Sequence, residues 1–529
     1  MNQKPATPKD AAAVILLNDA DGKVLWAQRN PQLAFLGGYH AFPGGKLETS
    51  DVLIKVENCP DEDLGKFIVC AARETFEEVG VLLARGGDKL TRGQRASLHD
   101  DLISQRMTFA EILEHWNLRI DANGFYYTGF WTTPQFSPVR FRTRFFLAAC
   151  PPKQEPYAAI SELQNVEFIQ PQDALDRWNK SKVLIAPPVL LSLKTLSEFS
   201  TERRKNAERD KKNINSGLEN NPLSSFENSS NNSAPLRLCG EILLKNSQAA
   251  SGQINYIELN PRVICFPLKT DTLPPATHTN CFIVGRKQFV VIDAASKAET
   301  EQNALHALID SFIEKDFLCQ AIIVTHPHQD HLGGETVLQA HLFNKYNLQV
   351  PIAAHRLTAE SLAGKVDIQK FIEDGETFDL QDENGEEFKF TALHTPGHAR
   401  GLLVFYDEEL GFLLSGDNVV GFGSVVIAPP EGNMKFYLQS LERMKNLPNL
   451  RFLCGSHGAA VFDAKSKIES YIAHRMEREK QILEAIKSGA KTAREIVEKV
   501  YVGLNPELLK LAEKSVEAHL EKLQEEQRN

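Results

Sequence analysis

The chain has 529 residues, of which 42% are hydrophobic and 24% charged, and its formal net charge is −10 at pH 7. At roughly 100–200 residues per domain, this length predicts about three or four folding units, and the composition is that of a globular protein. The negative charge argues against a general nucleic-acid coat protein, although it leaves room for a local basic groove. No run of about 18 apolar residues occurs, so no membrane span is expected.

The eight cysteines are scattered along the chain and form no C-x-x-C pair. This spacing is typical of reduced thiols and indicates neither a disulfide framework nor a zinc ribbon. The start of the sequence is polar and shows no apolar segment of the kind found in secretory signals. We therefore expect a cytoplasmic protein without a membrane partner.

The first part of the chain predicts a mixed α/β domain over residues 9–199. An apolar run at residues 11–17 indicates a buried strand. The pattern over residues 62–79 predicts a helix that ends at Gly80. A further strand is expected over residues 141–149.

The composition changes over residues 200–236. A charged segment is followed there by one rich in Asn and Ser, and neither can bury a core. We predict a flexible polar linker, with its charged part at most a frayed helix.

A second α/β domain is predicted over residues 237–462, where strand-like and helical stretches alternate. The strand-like runs are 281–284, 289–292, 321–324, 388–393, 402–406 and 411–414. Residues 463–529 then favour helices and predict a small helical extension. Its helices are expected over 464–486 and 492–500, and from Asn505-Pro506 onward.

A histidine-rich tract, Thr325 to His331, follows the apolar run at residues 321–324. A loop at the end of a buried strand can direct side chains into a cleft. Imidazole and carboxylate groups are the ligands that zinc prefers. Further single ligands are expected downstream, each after a strand-like run and among small residues: His398, Asp417 and His457.

These residues resemble the metallo-β-lactamase superfamily, which has a T-H-x-H-x-D-H tract, then a T-P-G-H histidine, an S-G-D aspartate and a last histidine. The resemblance implies an αββα sandwich that holds two Zn²⁺ ions, or Mn or Fe in their place. It implies one metal on His326, His328 and His398, a second on Asp330, His331 and His457, and Asp417 as the bridge. It also implies that Asp293 orients a ligand and that Asp330 helps to orient the water that the metals activate.

The helical extension indicates one group within this superfamily. Residues 471–478, in a long helix followed by two shorter ones, resemble the winged-helix-like extension of the β-lactamase-like protein 2 group. That group includes endoribonucleases specific for single strands, so single-stranded RNA is one candidate partner. The alternative is that the extension only covers the core.

Three carboxylates share one face of the predicted helix over residues 62–79, at positions i, i+3 and i+4. They are Glu74, Glu77 and Glu78. They repel one another unless a cation neutralises them, and hard oxygen ligands suit Mg²⁺ or Mn²⁺ bound to a diphosphate. Arg73 can pair with one of them, and Gly44 and Gly45 form a tight backbone loop that can meet a phosphate.

This pattern is similar to a Nudix hydrolase, because the R-E-U-x-E-E-x-G-U core is complete. The resemblance implies an α/β/α sandwich in which the three glutamates hold Mg²⁺ or Mn²⁺ and serve in catalysis. It also implies a nucleoside-diphosphate-linked substrate. Glu162 is a candidate for an additional carboxylate.

One part of the Nudix pattern differs. Gly65 stands where a glutamate is usual, and the stretch between Gly45 and Arg73 is longer than standard. An insertion of this kind resembles the branch that includes CoA diphosphatases. Glu48 and Asp51 are both candidates to replace the missing carboxylate.

The expected fold class is therefore a multidomain α/β protein, with a Nudix sandwich, a metallo-β-lactamase sandwich and a small helical tail. The first functional hypothesis is a bifunctional hydrolase that cleaves a nucleotide or CoA-type pyrophosphate and, separately, an ester, thioester or phosphodiester. The alternative is a single-strand endoribonuclease whose Nudix unit only binds nucleotide ends. The sequence indicates neither the second substrate, since the metals only activate water, nor the oligomeric state.

Overall fold

The computed structural model of the chain describes residues 6–33, 35–135, 137, 139–215, 233–249 and 255–528. These residues form two compact units, one up to residue 249 and the other from residue 255 onward.

The N-terminal unit is built on a mixed sheet of eight strands, in the order β10-β3-β2-β1-β8-β7 with β4 on β1 and β9 on β2. Strands β5 and β6 form a separate pair. The strands are β1 Lys9–Asn18, β2 Lys23–Arg29, β3 Tyr39–Ala41, β4 Gly44–Lys46, β5 Val56–Glu57, β6 Ile120–Asp121, β7 Tyr126–Thr132, β8 Phe141–Ala149, β9 Leu163–Ile169 and β10 Leu184–Ile185. The helices are α1 Glu62–Val79, α2 Arg92–Ile103, α3 Phe109–His115, α4 Pro171–Asn179, α5 Pro187–Asn215 and α6 Ser233–Ala249.

Helix α1 has the predicted bounds. The Asp61 side chain accepts hydrogen bonds from the first backbone N–H groups and so caps the helix, which ends at Gly80 with φ at 68°. Helix α1 is buried around most of its circumference, since Phe67 and Phe76 lie on opposite sides of it and both belong to the core that includes strand β1. The acidic side chains of its last turns therefore lie in a mostly buried environment.

The predicted linker over residues 200–236 is helical at both ends. Helix α5 continues to Asn215, and helix α6 begins at Ser233, whereas residues 216–232 lie outside the described residues. Leu236, Cys239 and Leu243 are buried at helical spacing, because α6 packs against strand β7. The chain therefore divides later than the predicted boundary at residue 237.

The C-terminal unit contains a sheet of twelve strands, in the order β11-β12-β13-β14-β18-β19-β20-β21-β22, with β15, β16 and β17 branching from β14. The strands are β11 Ile257–Asn260, β12 Val263–Lys269, β13 His278–Gly285, β14 Gln288–Ile292, β15 Leu318–Val324, β16 Ile352–Ala354, β17 Lys370–Phe371, β18 Thr377–Gln381, β19 Glu387–His394, β20 Leu403–Asp407, β21 Phe412–Gly416 and β22 Phe452–Gly455. The helices are α7 Glu299–Ile313, α8 Glu335–Tyr346, α9 Arg356–Ser361, α10 Met434–Lys445, α11 Ala464–Lys487, α12 Ala493–Val500 and α13 Leu509–Arg528.

Two apolar clusters hold this sheet between helices. One buries residues of β12 to β16 against α7 and α8, and the other buries residues of β19 to β22 against α10 and α11. The tail beyond residue 463 forms a third, smaller cluster between α11, α12 and α13. Within the described ranges, no helix is long and apolar enough to cross a membrane.

Candidate active sites

The proposed metal ligands of the C-terminal unit lie just beyond the ends of its strands. Strand β15 leads into the histidine tract, whose last three residues form a short 3₁₀ helix, Gln329–His331. Strands β21 and β22 run parallel and end directly before Asp417 and close to His457. Because the carboxyl ends of parallel strands meet at one sheet edge, ligands far apart in sequence come together.

Four of the seven predicted ligands form one group whose donor atoms lie within 4.8 Å of one another: His326, His328, His398 and Asp417. His328 Nδ1 lies 3.0 Å from His326 Nε2 and 2.9 Å from His398 Nε2. Asp417 Oδ2 lies 3.5 Å from His398 Nε2. Three imidazole nitrogens and a carboxylate oxygen thus converge on one point.

The other three ligands form a second group: Asp330, His331 and His457. His457 Nε2 lies 3.5 Å from Asp330 Oδ2. Asp417 Oδ1 lies 3.5 Å from His331 Nε2 and 3.6 Å from His457 Nε2. Each oxygen of Asp417 therefore faces a different group of ligands.

The chemistry of this donor set fits divalent metal ions. His331 Nε2 and Asp417 Oδ1 are buried and make no hydrogen bond, and buried polar atoms without a partner are costly. Burial lowers the pKa of His326, and it lowers the pKa of His398 to about 4. Both imidazoles are therefore neutral, which is the form that binds a metal.

Asp293 lies behind the metal ligands, as the sequence predicts. Its Oδ2 accepts a hydrogen bond from His331 Nδ1 at 2.8 Å, and its two oxygens also accept bonds from Thr325 N and Oγ1. The bond to Nδ1 fixes the orientation of the His331 ring and directs Nε2 toward the site.

Two polar residues of strand β13 were missed by the sequence reasoning. Thr279 Oγ1 donates to Asp330 O, and Asn280 Nδ2 donates to the carbonyls of Gly455 and Gly458, on either side of His457. Both side chains are buried. The signal available in the sequence was a pair of polar residues within an apolar strand.

In the N-terminal unit, Arg73 organises the carboxylates of helix α1. Its Nε and Nη2 donate to the two oxygens of Asp51 at 2.8 and 2.9 Å, and both side chains are buried. Its Nη1 donates to Glu74 at 3.0 Å and to Glu77 at 2.9 Å. The sequence left Glu48 and Asp51 open, and of the two it is Asp51 that contacts Arg73, while Glu48 is exposed.

The backbone of strand β4 lies against the same carboxylates. Gly44 N donates to Glu78 Oε2 at 2.8 Å. A Cβ at Gly45 would lie 2.5 Å from the Glu74 carboxyl carbon, so any side chain there would displace the Glu74 carboxylate. Gly44 and Gly45 therefore lie beside the glutamates, but they form strand β4, which pairs with β1, and not the predicted loop.

Burial raises the pKa of Glu74 to about 7 and that of Glu78 to about 8. The charge of Glu162, which is exposed, contributes to the shift at Glu78. Carboxyls that resist ionisation because they are crowded and buried are those that a divalent cation stabilises in the charged form. The donor set thus fits Mg²⁺ or Mn²⁺.

Comparison with known families is consistent with both sites. The family model of the metallo-beta-lactamase superfamily matches residues 274–457, and that of the NUDT19 Nudix domain matches residues 54–196. A beta-lactamase associated winged helix domain matches residues 492–528. The chain joins a Nudix domain to a metallo-β-lactamase domain. It is a metal-dependent hydrolase, and its tail is the winged helix extension that accompanies such domains.

The curated relatives match half or less of this Nudix–metallo-β-lactamase chain. The lactamase-like protein adaB of Aspergillus niger is 29% identical over 245 residues, which are 44% of this chain and 70% of that protein. An atrochrysone carboxyl ACP thioesterase of Pseudocercospora fijiensis is 27% identical, over 50% of this chain and 75% of its own. The beta-lactamase-like protein 2 homolog of Caenorhabditis elegans is 27% identical, over 42% of this chain and 70% of its own length.

Proposed function

We propose that this chain carries two independent hydrolytic centres, one for a diphosphate bond and one for an ester-type bond. The observation that carries the proposal is the different chemistry of two groups of side chains. In the C-terminal unit, imidazoles and two aspartates converge in two adjoining groups. On helix α1, carboxylates alone gather around Arg73 and Gly44. Oxygen ligands favour Mg²⁺ or Mn²⁺, and imidazole ligands favour Zn²⁺ or a related ion.

The N-terminal centre would hydrolyse a nucleoside-diphosphate-linked compound, such as CoA. Glu74, Glu77 and Glu78 would hold the cation, and the cation would neutralise the diphosphate. Arg73 holds Glu74 and Glu77 in place, because its Nη1 donates a hydrogen bond to each of them. The small residues Gly44 and Gly45 let strand β4 approach these carboxylates closely, and the diphosphate would bind beside them.

The test of this half is an assay of CoA, ADP-ribose and NADH with Mg²⁺, with the products identified by mass spectrometry. Glu78→Gln should lower the rate by about a hundredfold or more. A folded wild-type protein that hydrolyses no diphosphate-linked compound would contradict the assignment.

The C-terminal centre would hydrolyse a thioester or ester. Bound metals supply an activated water and polarise the carbonyl. Asp417 would contribute to both groups of ligands, and Asp330 would orient the attacking water. The relative named as a carboxyl ACP thioesterase supports thioester chemistry. An acyl-CoA contains both a thioester and a diphosphate, so one compound could serve both centres.

This half is tested with acyl-CoA, an uncharged aryl ester and labelled single-stranded RNA, each with Zn²⁺- or Mn²⁺-loaded protein. His326→Ala should abolish hydrolysis, whereas His341→Ala, a histidine of helix α8 outside the metal groups, should not. Cleavage of RNA alone, lost in His326→Ala, would favour the endoribonuclease hypothesis over the thioesterase one.

A further inference from the structure

One loop, residues 418–427, connects three of the proposed metal ligands. It begins directly after Asp417. Gly421 N donates to the carbonyl of His457 at 2.8 Å. His398 Nδ1 donates to the carbonyl of Val426 at 3.0 Å, which leaves Nε2 to face the site. The position of this 418–427 loop therefore sets the geometry of ligands from three different parts of the unit.

The 418–427 loop is held from its other side by helix α11 of the tail. The Tyr471 hydroxyl donates to Gly423 O at 2.9 Å and accepts from Val420 N at 3.3 Å. One turn later, Arg475 Nη2 donates to Val425 O at 2.5 Å. Val425 directly precedes Val426, so the contact lies next to the carbonyl that orients His398.

Arg475 is a charged residue in a buried position, which is unusual for a helix that only covers a core. Its side chain is 3% exposed, and its Nε makes no hydrogen bond. Among the described residues no carboxylate lies within ion-pair distance of it, and the Tyr437 ring, 5.4 Å away, is its aromatic contact. A buried cation without an acidic partner destabilises a protein, so an apolar residue would serve better if helix α11 only shielded the sheet.

We propose that Tyr471 and Arg475 are positioning residues of the metal centre, through which helix α11 of the tail controls metal retention. They act on the carbonyls of the 418–427 loop, and the loop acts on His398 and His457. The inference rests on the proposed metal site, and it assigns the tail a role in the chemistry of the preceding domain.

The test uses the full chain loaded with Zn²⁺ and compares Tyr471→Phe, Arg475→Met, Arg475→Lys and Arg478→Met. Arg478 is the matched control, since it lies on the same helix and contacts Val500 O and the Tyr501 ring within the tail. The ions bound per chain and the rate of release to a chelator are measured, together with the unfolding temperature of the metal-free protein.

Tyr471→Phe and Arg475→Met should release Zn²⁺ about tenfold faster than the wild type. Arg475→Lys should recover part of the loss, and Arg478→Met should behave as the wild type. Equal release from all variants would overturn the inference, as would equally fast release from Arg478→Met. If Arg475→Met does not fold, Tyr471→Phe decides, because it loses only a hydroxyl. A wild type that binds no Zn²⁺ would instead overturn the proposed metal site and this inference with it.

Discussion

The pairing of Arg73 with Asp51 shows how a chain can keep a site while changing its spacing. Asp51 lies six residues after Gly45, as the usual glutamate does, and the extra residues fall between Asp51 and helix α1. The usual spacing counted back from Arg73 leads to Gly65, because the sequence does not show on which side of the acidic residue the insertion falls. The fold places Gly65 on α1 near Cys59 and Val56 instead.

Asp51→Asn should therefore destabilise the N-terminal unit, because the change removes the negative charge that pairs with the buried Arg73 guanidinium. We expect a loss of about 1–3 kcal/mol in the free energy of unfolding, and a fall in the rate of diphosphate hydrolysis. Urea denaturation followed by tryptophan fluorescence measures the stability. All four tryptophans, Trp26, Trp116, Trp131 and Trp178, belong to this unit. Glu48→Gln is the control, and an equal effect of both changes would contradict the role of Asp51.

His40 predicts a dependence of stability on pH. It is 5% exposed and packs on the Trp26 ring, and burial lowers its pKa to about 4 from an ordinary value of 6.5. Between these two pH values, His40 therefore binds a proton in the unfolded chain but stays neutral in the folded unit. Stability that is present above pH 6.5 is lost as the pH falls from there to about 4.

The size of that loss is about 1.4 kcal/mol per pH unit across this window. As the pH falls, the free energy of unfolding of the wild type should decrease relative to that of His40→Gln. Urea denaturation at several pH values measures both. A difference that stays constant between pH 6.5 and 4 would show that His40 titrates equally in both states.

At the scale of elements, the long and periodic segments were predictable. Helices α1 and α11 and strands β8, β14 and β15 lie within a few residues of their predicted bounds. Short strands such as β4 were not predicted, because Gly44-Gly45-Lys46 has no strand pattern and is held by pairing with β1. Helix α6 was not predicted either, since strand β7, against which it packs, is remote in sequence.

The close approach of strand β4 to helix α1 gives a further prediction. Gly45→Ala would place a methyl group against the Glu74 carboxylate and displace it. Diphosphate hydrolysis should fall by about tenfold or more, since misplaced catalytic groups are costly. The rate with CoA or the best diphosphate found is the measurement. Gly93→Ala, on helix α2 with open space around it, is the matched control, and an unchanged rate in Gly45→Ala would contradict the account.

At the scale of the whole molecule, the order of motifs was enough to predict both domains and most of each site. The seven metal ligands of the C-terminal unit could be proposed from a tract and three short motifs, and the structure brings all seven together. Asp293 could be proposed as well, but the roles of Thr279 and Asn280 could not, because these two residues belong to no recognisable motif. Their roles depend on hydrogen bonds to backbone carbonyls, which only the folded chain reveals.

The central claim, two independent hydrolytic centres in one chain, is tested most directly by a crossed measurement. Wild type, Glu78→Gln and His326→Ala are each given an acyl-CoA, and the products of diphosphate and thioester cleavage are quantified in the same samples. Glu78→Gln should lose diphosphate cleavage and keep thioester cleavage, and His326→Ala should show the reverse. A single substitution that abolishes both reactions, or a thioester activity that survives His326→Ala, would contradict the claim.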